Sequence, residues 1–199
     1  MKYYVRNKKS NKTQLLFHGT GGSYRDLISI AEYIDPSSNY IAFEGNELEE
    51  GMRRFFKRHA IGKFDIPNLE LNTTELDKDI KDIKQMNEFK DTNFVAMGFS
   101  NGANILESLF QMYPDSLKNF MLLSPVYVRK DLKFKDLTGL NILIVTSYND
   151  PYTTKKDLEL LINDLKDANA NVDLYLHDAG HRLTEGALNY AKDWYFRNI

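Results

Sequence analysis

The chain has 199 residues and is almost electrically neutral, with 26 Lys and Arg against 28 Asp and Glu. This length suits one domain (1–199), and 42% hydrophobic residues is too many for a disordered chain. The near-neutral, mixed charge is not typical of a nucleic-acid-binding protein. The absence of cysteine excludes disulfides and thiolate chemistry. Without a signal-peptide pattern or an apolar run near ~20 residues, we expect a cytoplasmic protein with no integral membrane association.

Short apolar runs alternate with segments of helical period along most of the chain. The predicted strands are Gln14–His18, Tyr40–Phe43, Phe94–Phe99, Asn119–Ser124, Asn141–Ser147 and Val172–His177, with Tyr3–Val5 as a further candidate. The predicted helices are Tyr24–Ile34, Asn72–Phe89, Asn101–Met112, Thr153–Ala168 and Leu183–Phe196. The strands are apolar on both faces, as is typical of strands covered on both sides. The alternation predicts an α/β fold with a mainly parallel sheet and helices on both faces.

The stretch Glu44–Asn68 fits neither period, and we predict a long loop there. It surrounds a dense basic and aromatic cluster, which runs Met52-Arg53-Arg54-Phe55-Phe56-Lys57-Arg58-His59. Loops of this length are uncommon inside compact domains and are often functional.

The sharpest chemical motif is Gly98-Phe99-Ser100-Asn101-Gly102, between a predicted strand and a predicted helix. A nucleophile elbow needs this context, because a sharp strand-to-helix turn lifts the Ser hydroxyl to the carboxyl edge of the sheet. The small residues two before and two after the Ser let the strand and the helix pack closely. The motif predicts that Ser100 is a nucleophile.

A Ser nucleophile needs a base and an orienting acid, which this fold supplies in the order Ser, acid, His. Asp150 follows the strand Asn141–Ser147, and His181 follows the strand Val172–His177. Each side chain is therefore expected in the loop layer that carries Ser100. Asp178 is a weaker acid candidate, because it lies only three residues from His181 on the same loop.

The motif His18-Gly19-Thr20-Gly21-Gly22 follows an earlier strand. Acyl transfer needs backbone N–H donors aimed at the oxyanion, one from the residue after the nucleophile and one from such a glycine-rich loop. We predict that Asn101 and Thr20 supply them. A phosphate-binding loop is the rival interpretation, but neither of the common glycine-rich phosphate motifs is present.

These motifs resemble the α/β-hydrolase superfamily, and within its carboxylesterase/phospholipase branch the bacterial MhqD-like hydrolases, which are associated with quinone resistance. The resemblance covers nearly the whole chain and rests on His18–Gly22, Glu44–Asn46, Gly51–Arg58, Phe64–Asp65, Gly98–Asn104, Asn149–Pro151 and Gly180–His181. It implies the α/β-hydrolase fold, with Ser100, Asp150 and His181 as the catalytic triad. It also implies that Glu44–Asn68 shapes the acyl pocket, since the chain has no room for a separate cap domain.

Met52, Arg53, Phe55 and Phe56 are the candidate pocket residues within that stretch. The aromatic side chains would line an apolar cleft, while Arg53, Arg54 or Arg58 would meet a carboxylate or another polar group. The alternative places the aromatic residues in the core and pairs the basic residues with Glu47, Glu49 and Glu50.

The expected function is therefore a serine hydrolase that cleaves a small-molecule carboxylic ester through an acyl-enzyme, with no metal or cofactor. A thioesterase or lysophospholipase would use the same machinery, and a non-catalytic binding protein on this fold is a further alternative. The sequence leaves open whether the chain forms a homodimer.

Overall fold

The fold is built on one seven-stranded sheet, and a computed structural model describes all 199 residues. The strands are β1 (Lys2–Arg6), β2 (Lys12–Phe17), β3 (Asn39–Glu44), β4 (Glu47–Glu49), β5 (Met52–Arg54), β6 (Arg58–Ala60), β7 (Lys63–Phe64), β8 (Asn93–Phe99), β9 (Asn119–Leu123), β10 (Asn141–Ser147) and β11 (Asn171–His177). The main sheet has the order β1-β3-β2-β8-β9-β10-β11, and only β1 runs antiparallel to its neighbour. The predicted mainly parallel sheet is confirmed.

Helices cover both faces of this sheet. They are α1 (Ile28–Ile34), α2 (Ile66–Gln85), α3 (Asn101–Met112), α4 (Lys155–Asp167) and α5 (Glu185–Asn198). Leu76 of α2, Leu109 of α3 and Leu161 of α4 belong to one hydrophobic core, whereas Ile34 of α1 and Trp194 of α5 belong to the other. The sheet is therefore buried on both sides, which explains why its strands are apolar on both faces. No helix is both long enough and apolar enough to cross a membrane.

Helix α2 begins at Ile66 and not at the predicted Asn72. Asp65 caps the helix, because its carboxylate accepts a hydrogen bond from the backbone N–H of Asn68. Pro67 lies in the first turn, where its missing N–H is not needed. The sequence prediction treated this proline as part of a loop and so lost the first turn of the helix.

The stretch predicted as a loop instead contains two short antiparallel hairpins, β4–β5 and β6–β7, here called the hairpin segment (residues 47–64). Strands of two or three residues are too short to show a hydrophobic period, so the pattern missed them. The segment is tied to the start of α3, since the backbone N–H of Phe55 donates to the Asn101 side chain at 2.7 Å. The hairpin segment therefore lies beside the turn that carries Ser100.

Candidate active site

Ser100 lies at the turn between β8 and α3, with φ of +52°. This left-handed conformation is strained for a residue other than glycine, and it is typical of functional turns. The glycines on either side permit it: a Cβ on Gly102 would lie 2.1 Å from the backbone oxygen of Phe17, and one on Gly98 would lie 2.5 Å from the backbone of Gly102. The backbone N–H of Ser100 also donates to Leu123 of the neighbouring strand at 2.8 Å. Close packing thus fixes Ser100 at the carboxyl edge of the sheet.

Asp150 and His181 meet at the same edge, although 31 residues separate them in the sequence. The Nδ1 atom of His181 lies 2.7 Å from the Asp150 carboxylate, which also accepts a hydrogen bond from the backbone N–H of Tyr152 at 2.9 Å. Burial by itself would raise the pKa of Asp150, but these hydrogen bonds outweigh it and hold that pKa below its usual value. Asp150 is therefore an ionised carboxylate that fixes the orientation of the His181 ring.

Two aromatic rings pack against the His181 imidazole. Phe99 packs against it with ring centroids 5.1 Å apart, and Tyr152 meets it edge-on at 4.8 Å. The Nε2 atom of His181 makes no hydrogen bond within the protein. His181 and Ser100 line the same cavity, which has a volume of about 430 Å³.

Thr20 and Asn101 line the same cavity. The backbone N–H of Thr20 makes no hydrogen bond within the protein, and Asn101 is the first residue of α3, where N–H groups lack partners inside the helix. His18 holds the glycine-rich loop: its Nδ1 bonds to the Gly19 carbonyl oxygen at 2.6 Å and its Nε2 accepts from the Gly45 N–H at 3.1 Å. Two free donors therefore border the cavity beside Ser100.

The hairpin segment forms one wall of the cavity. Its lining residues are Met52, Arg54, Arg58, Ile61, Gly62 and Phe64. Successive side chains of a strand point to opposite sides, so Met52 and Arg54 of β5 reach the cavity whereas Arg53 does not. Arg53 instead lies 3.4 Å from the carboxylate of Glu44.

The structure places Phe55 and Phe56 outside the cavity lining, fully buried in the hydrophobic core. Phe55 packs against Phe17 and His18, with ring centroids 5.5 and 4.8 Å apart. Of the four pocket candidates chosen from the sequence, only Met52 therefore lines the cavity.

Arg54 and Arg58, which the sequence could not rank above Arg53, border the cavity. The alternation of side chains along β5 would have separated Arg53 from Arg54, but β5 itself was not predicted. Another cavity residue, Tyr152, lay in no motif that pointed to it. The structure contains no group of three or more His, Asp or Glu side chains that could hold a metal ion.

A mainly parallel sheet with a serine turn at its carboxyl edge, followed in the chain by an Asp and a His after later strands, defines the α/β-hydrolase fold. The solved structures agree. A carboxylesterase from Bacillus cereus superposes with a TM-score of 0.95 at 37% identity and covers 100% of this chain and 95% of its own. The structure of YahD with malic acid superposes at 0.91 with 24% identity, over 100% of this chain and 99% of that one, and is evidence for the fold alone.

A relative in Bacillus subtilis (strain 168), MhqD, is named as a hydrolase. It is 37% identical to this chain over 195 residues, which cover 98% of each protein. No protein-family model matches the chain. The chain belongs to the MhqD-like family of hydrolases, and it is an enzyme of the esterase-type hydrolases.

Proposed function

We propose that this protein is a serine hydrolase that cleaves carboxylic esters through an acyl-enzyme. The observation that carries the proposal is the hydrogen bond between His181 and an ionised Asp150, beside a cavity that the imidazole shares with Ser100. A serine is activated when its hydroxyl faces an imidazole whose other nitrogen is hydrogen-bonded to a carboxylate.

In the proposed reaction, the Ser100 oxygen attacks the acyl carbon while Nε2 of His181 takes the hydroxyl proton. Asp150 keeps the other ring proton on Nδ1 and stabilises the imidazolium that forms. His181 then gives its proton to the leaving alcohol, and the acyl group stays on Ser100. Water, activated by the same imidazole, releases the acid and restores the hydroxyl.

The negative charge on the carbonyl oxygen needs donors that are in place before the reaction. The N–H groups of Thr20 and Asn101 are assigned this role, because both residues border the cavity and the Thr20 N–H has no other partner. Each such donor is worth about 10²- to 10³-fold in rate.

A carboxylic ester is the proposed substrate class for two reasons. The Bacillus cereus relative of 37% identity is named a carboxylesterase. The cavity also offers apolar side chains to an acyl or alkyl group, since Met52, Phe64, Phe99 and Val126 line it. Its volume of about 430 Å³ lies within the range of ~300–1,000 Å³ that small-molecule sites occupy.

The test is the rate of p-nitrophenyl butyrate hydrolysis by the wild type and by Ser100→Ala. We expect the substitution to lower kcat by a factor on the order of 10⁶, because the three side chains act as a unit. Ser37→Ala is the matched control, since Ser37 is exposed and lies outside the cavity lining. Equal rates for Ser100→Ala and the wild type would contradict the nucleophile assignment, and a wild type without turnover would favour a non-catalytic binding protein.

A further inference from the structure

The charged side chains around the cavity are unbalanced. Apart from His181, the charged residues that line it are Arg54 and Arg58, and no Asp or Glu is among the lining residues. Behind them lies one carboxylate, Glu49, at 3.2 Å from Nε of Arg54 and 2.8 Å from Nε of Arg58. Two guanidinium groups therefore share one carboxylate, and these three side chains together carry one net positive charge.

The neighbouring acidic residues do not supply the missing charge. Glu44 lies beside Arg53 at 3.4 Å, and Glu47 lies 3.6 Å from the ammonium of Lys57. Glu50 is exposed and forms no ion pair. Arg54 and Arg58 therefore have no carboxylate partner other than Glu49, and the further carboxylate beside the cavity, Asp150, bonds to His181.

Arg54 is held rigidly and still has donors to spare. Its side chain is 3% exposed; Nε donates to the Phe56 carbonyl oxygen at 3.1 Å, and Nη1 donates to the Thr20 hydroxyl at 2.7 Å. Its Nη2 group has no hydrogen-bond partner. A guanidinium has five N–H donors in a fixed plane, so the Nη2 group of Arg54 is available to a ligand in the cavity.

Arg58 adds a second set of free donors. Only its Nε is engaged, by Glu49, so both terminal nitrogens are unpaired. Burial, followed by the nearby charge of Arg58, lowers the pKa of Arg54, whereas Glu49 raises it. A bound anion would offset the repulsion between the two guanidinium groups and accept hydrogen bonds from their free terminal nitrogens.

We propose that Arg54 and Arg58 form an anion subsite in the cavity, and that the substrate is an ester that carries a free carboxylate. This inference rests on the proposed esterase function and specifies its substrate class. Guanidinium groups bind carboxylates and phosphates through paired hydrogen bonds. A carboxylate is favoured over a phosphate monoester, because its single negative charge matches the one net positive charge of Arg54, Arg58 and Glu49.

The test compares mono-p-nitrophenyl adipate with its methyl ester, in which a methyl group replaces the negative charge. For the wild type we expect kcat/KM to be about 10- to 100-fold higher for the carboxylate, the range of a charge-assisted hydrogen-bonded pair. Arg58→Gln should remove most of this preference. Arg58→Lys should keep part of the preference. Lys57→Gln, which removes a neighbouring positive charge outside the cavity lining, should keep all of it.

A binding measurement separates this inference from the esterase proposal. Calorimetry with monomethyl adipate and the Ser100→Ala protein should show binding that a further Arg58→Gln substitution weakens about 10-fold or more. Binding of this kind without any ester turnover would support the anion subsite and contradict the esterase proposal. Turnover of both adipate esters at equal rates, or a preference that survives Arg58→Gln, would overturn the subsite. Tighter binding of inorganic phosphate than of monomethyl adipate would overturn the choice of a carboxylate.

Discussion

The carboxyl edge of the sheet and the hairpin segment border the same cavity but are built in different ways. At the sheet edge, Ser100, Asp150 and His181 each follow a strand of seven residues, so the strand ends determine where these side chains lie. In the hairpin segment, the strands have two or three residues and are held by side-chain contacts such as the bond from Phe55 to Asn101. We therefore propose that the sheet edge supplies the chemistry and that the hairpin segment supplies the selectivity.

The largest loss of activity is expected from a substitution at the sheet edge. We expect Asp150→Asn to lower kcat about 10⁴-fold, because the amide cannot hold the proton of His181 on Nδ1. The measurement is turnover of p-nitrophenyl butyrate at saturating substrate.

Asp178→Asn is the matched control for that experiment. Asp178 makes no hydrogen bond to His181 through its carboxylate, and we expect kcat within about 2-fold of the wild type. A larger loss with Asp178→Asn than with Asp150→Asn would contradict the assignment of the acid.

Within the hairpin segment, we expect core residues to affect stability and cavity residues to affect substrate binding. Phe55 is fully buried in the core, so we expect Phe55→Ala to lower the free energy of unfolding by about 3–5 kcal/mol. Met52 lines the cavity and is only half-buried, so Met52→Ala should cost about 1 kcal/mol and raise KM for apolar esters. Urea denaturation and steady-state kinetics measure the two effects, and equal losses of stability would show that the division is wrong.

A smaller effect concerns the pH dependence of stability. Burial is the main cause that lowers the pKa of His18 below its usual 6.5. The unfolded chain then binds a proton more readily than the folded one, so stability falls as the pH decreases from about 6.5 toward the lower pKa of the folded state. The slope from one such group is at most about 1.4 kcal/mol per pH unit.

Urea midpoints at about pH 8.0 and about pH 5.5, on either side of the usual histidine pKa, would test the role of His18. At the higher pH we expect His18→Asn to be less stable than the wild type, because it loses the ring nitrogen that accepts from the Gly45 N–H. On acidification we expect it to lose less stability than the wild type does. His59→Gln, at an exposed position, should keep the wild-type dependence. The lowered pKa of Asp150 acts only below its usual pKa of 3.8. Burial raises the pKa of Glu107 to about 8, so Glu107 contributes less stability as the pH rises, and this contribution is common to the wild type and both variants.

The sequence predicted the sheet edge well because its signals are local and strong. Apolar runs define the strands, and the two glycines around Ser100 are required by backbone contacts as close as 2.1 Å. From the strand ends and the chain order, Asp150 and His181 could be chosen over Asp178 and the other histidines. The hydrogen bond between Asp150 and His181 is the geometry that this choice requires.

The hairpin segment was harder to predict for a physical reason. The orientation of Arg53 and Arg54 depends on a strand of three residues, and no period can be recognised in so short an element. Whether Phe55 lies in the core or in the cavity depends on its contacts with Phe17 and His18, which are distant in the sequence. The first turn of α2 was missed because the capping by Asp65 was not considered.

The central claim is that the Ser100 hydroxyl is a nucleophile activated by His181. Its most direct test is covalent labelling with a fluorophosphonate, followed by mass spectrometry of the digested protein. We expect one phosphonyl adduct in the wild type, on the peptide that contains Ser100. The adduct should be absent from the His181→Gln protein and present in the His59→Gln protein. An unlabelled Ser100, or an adduct on another serine with ester turnover intact, would contradict it.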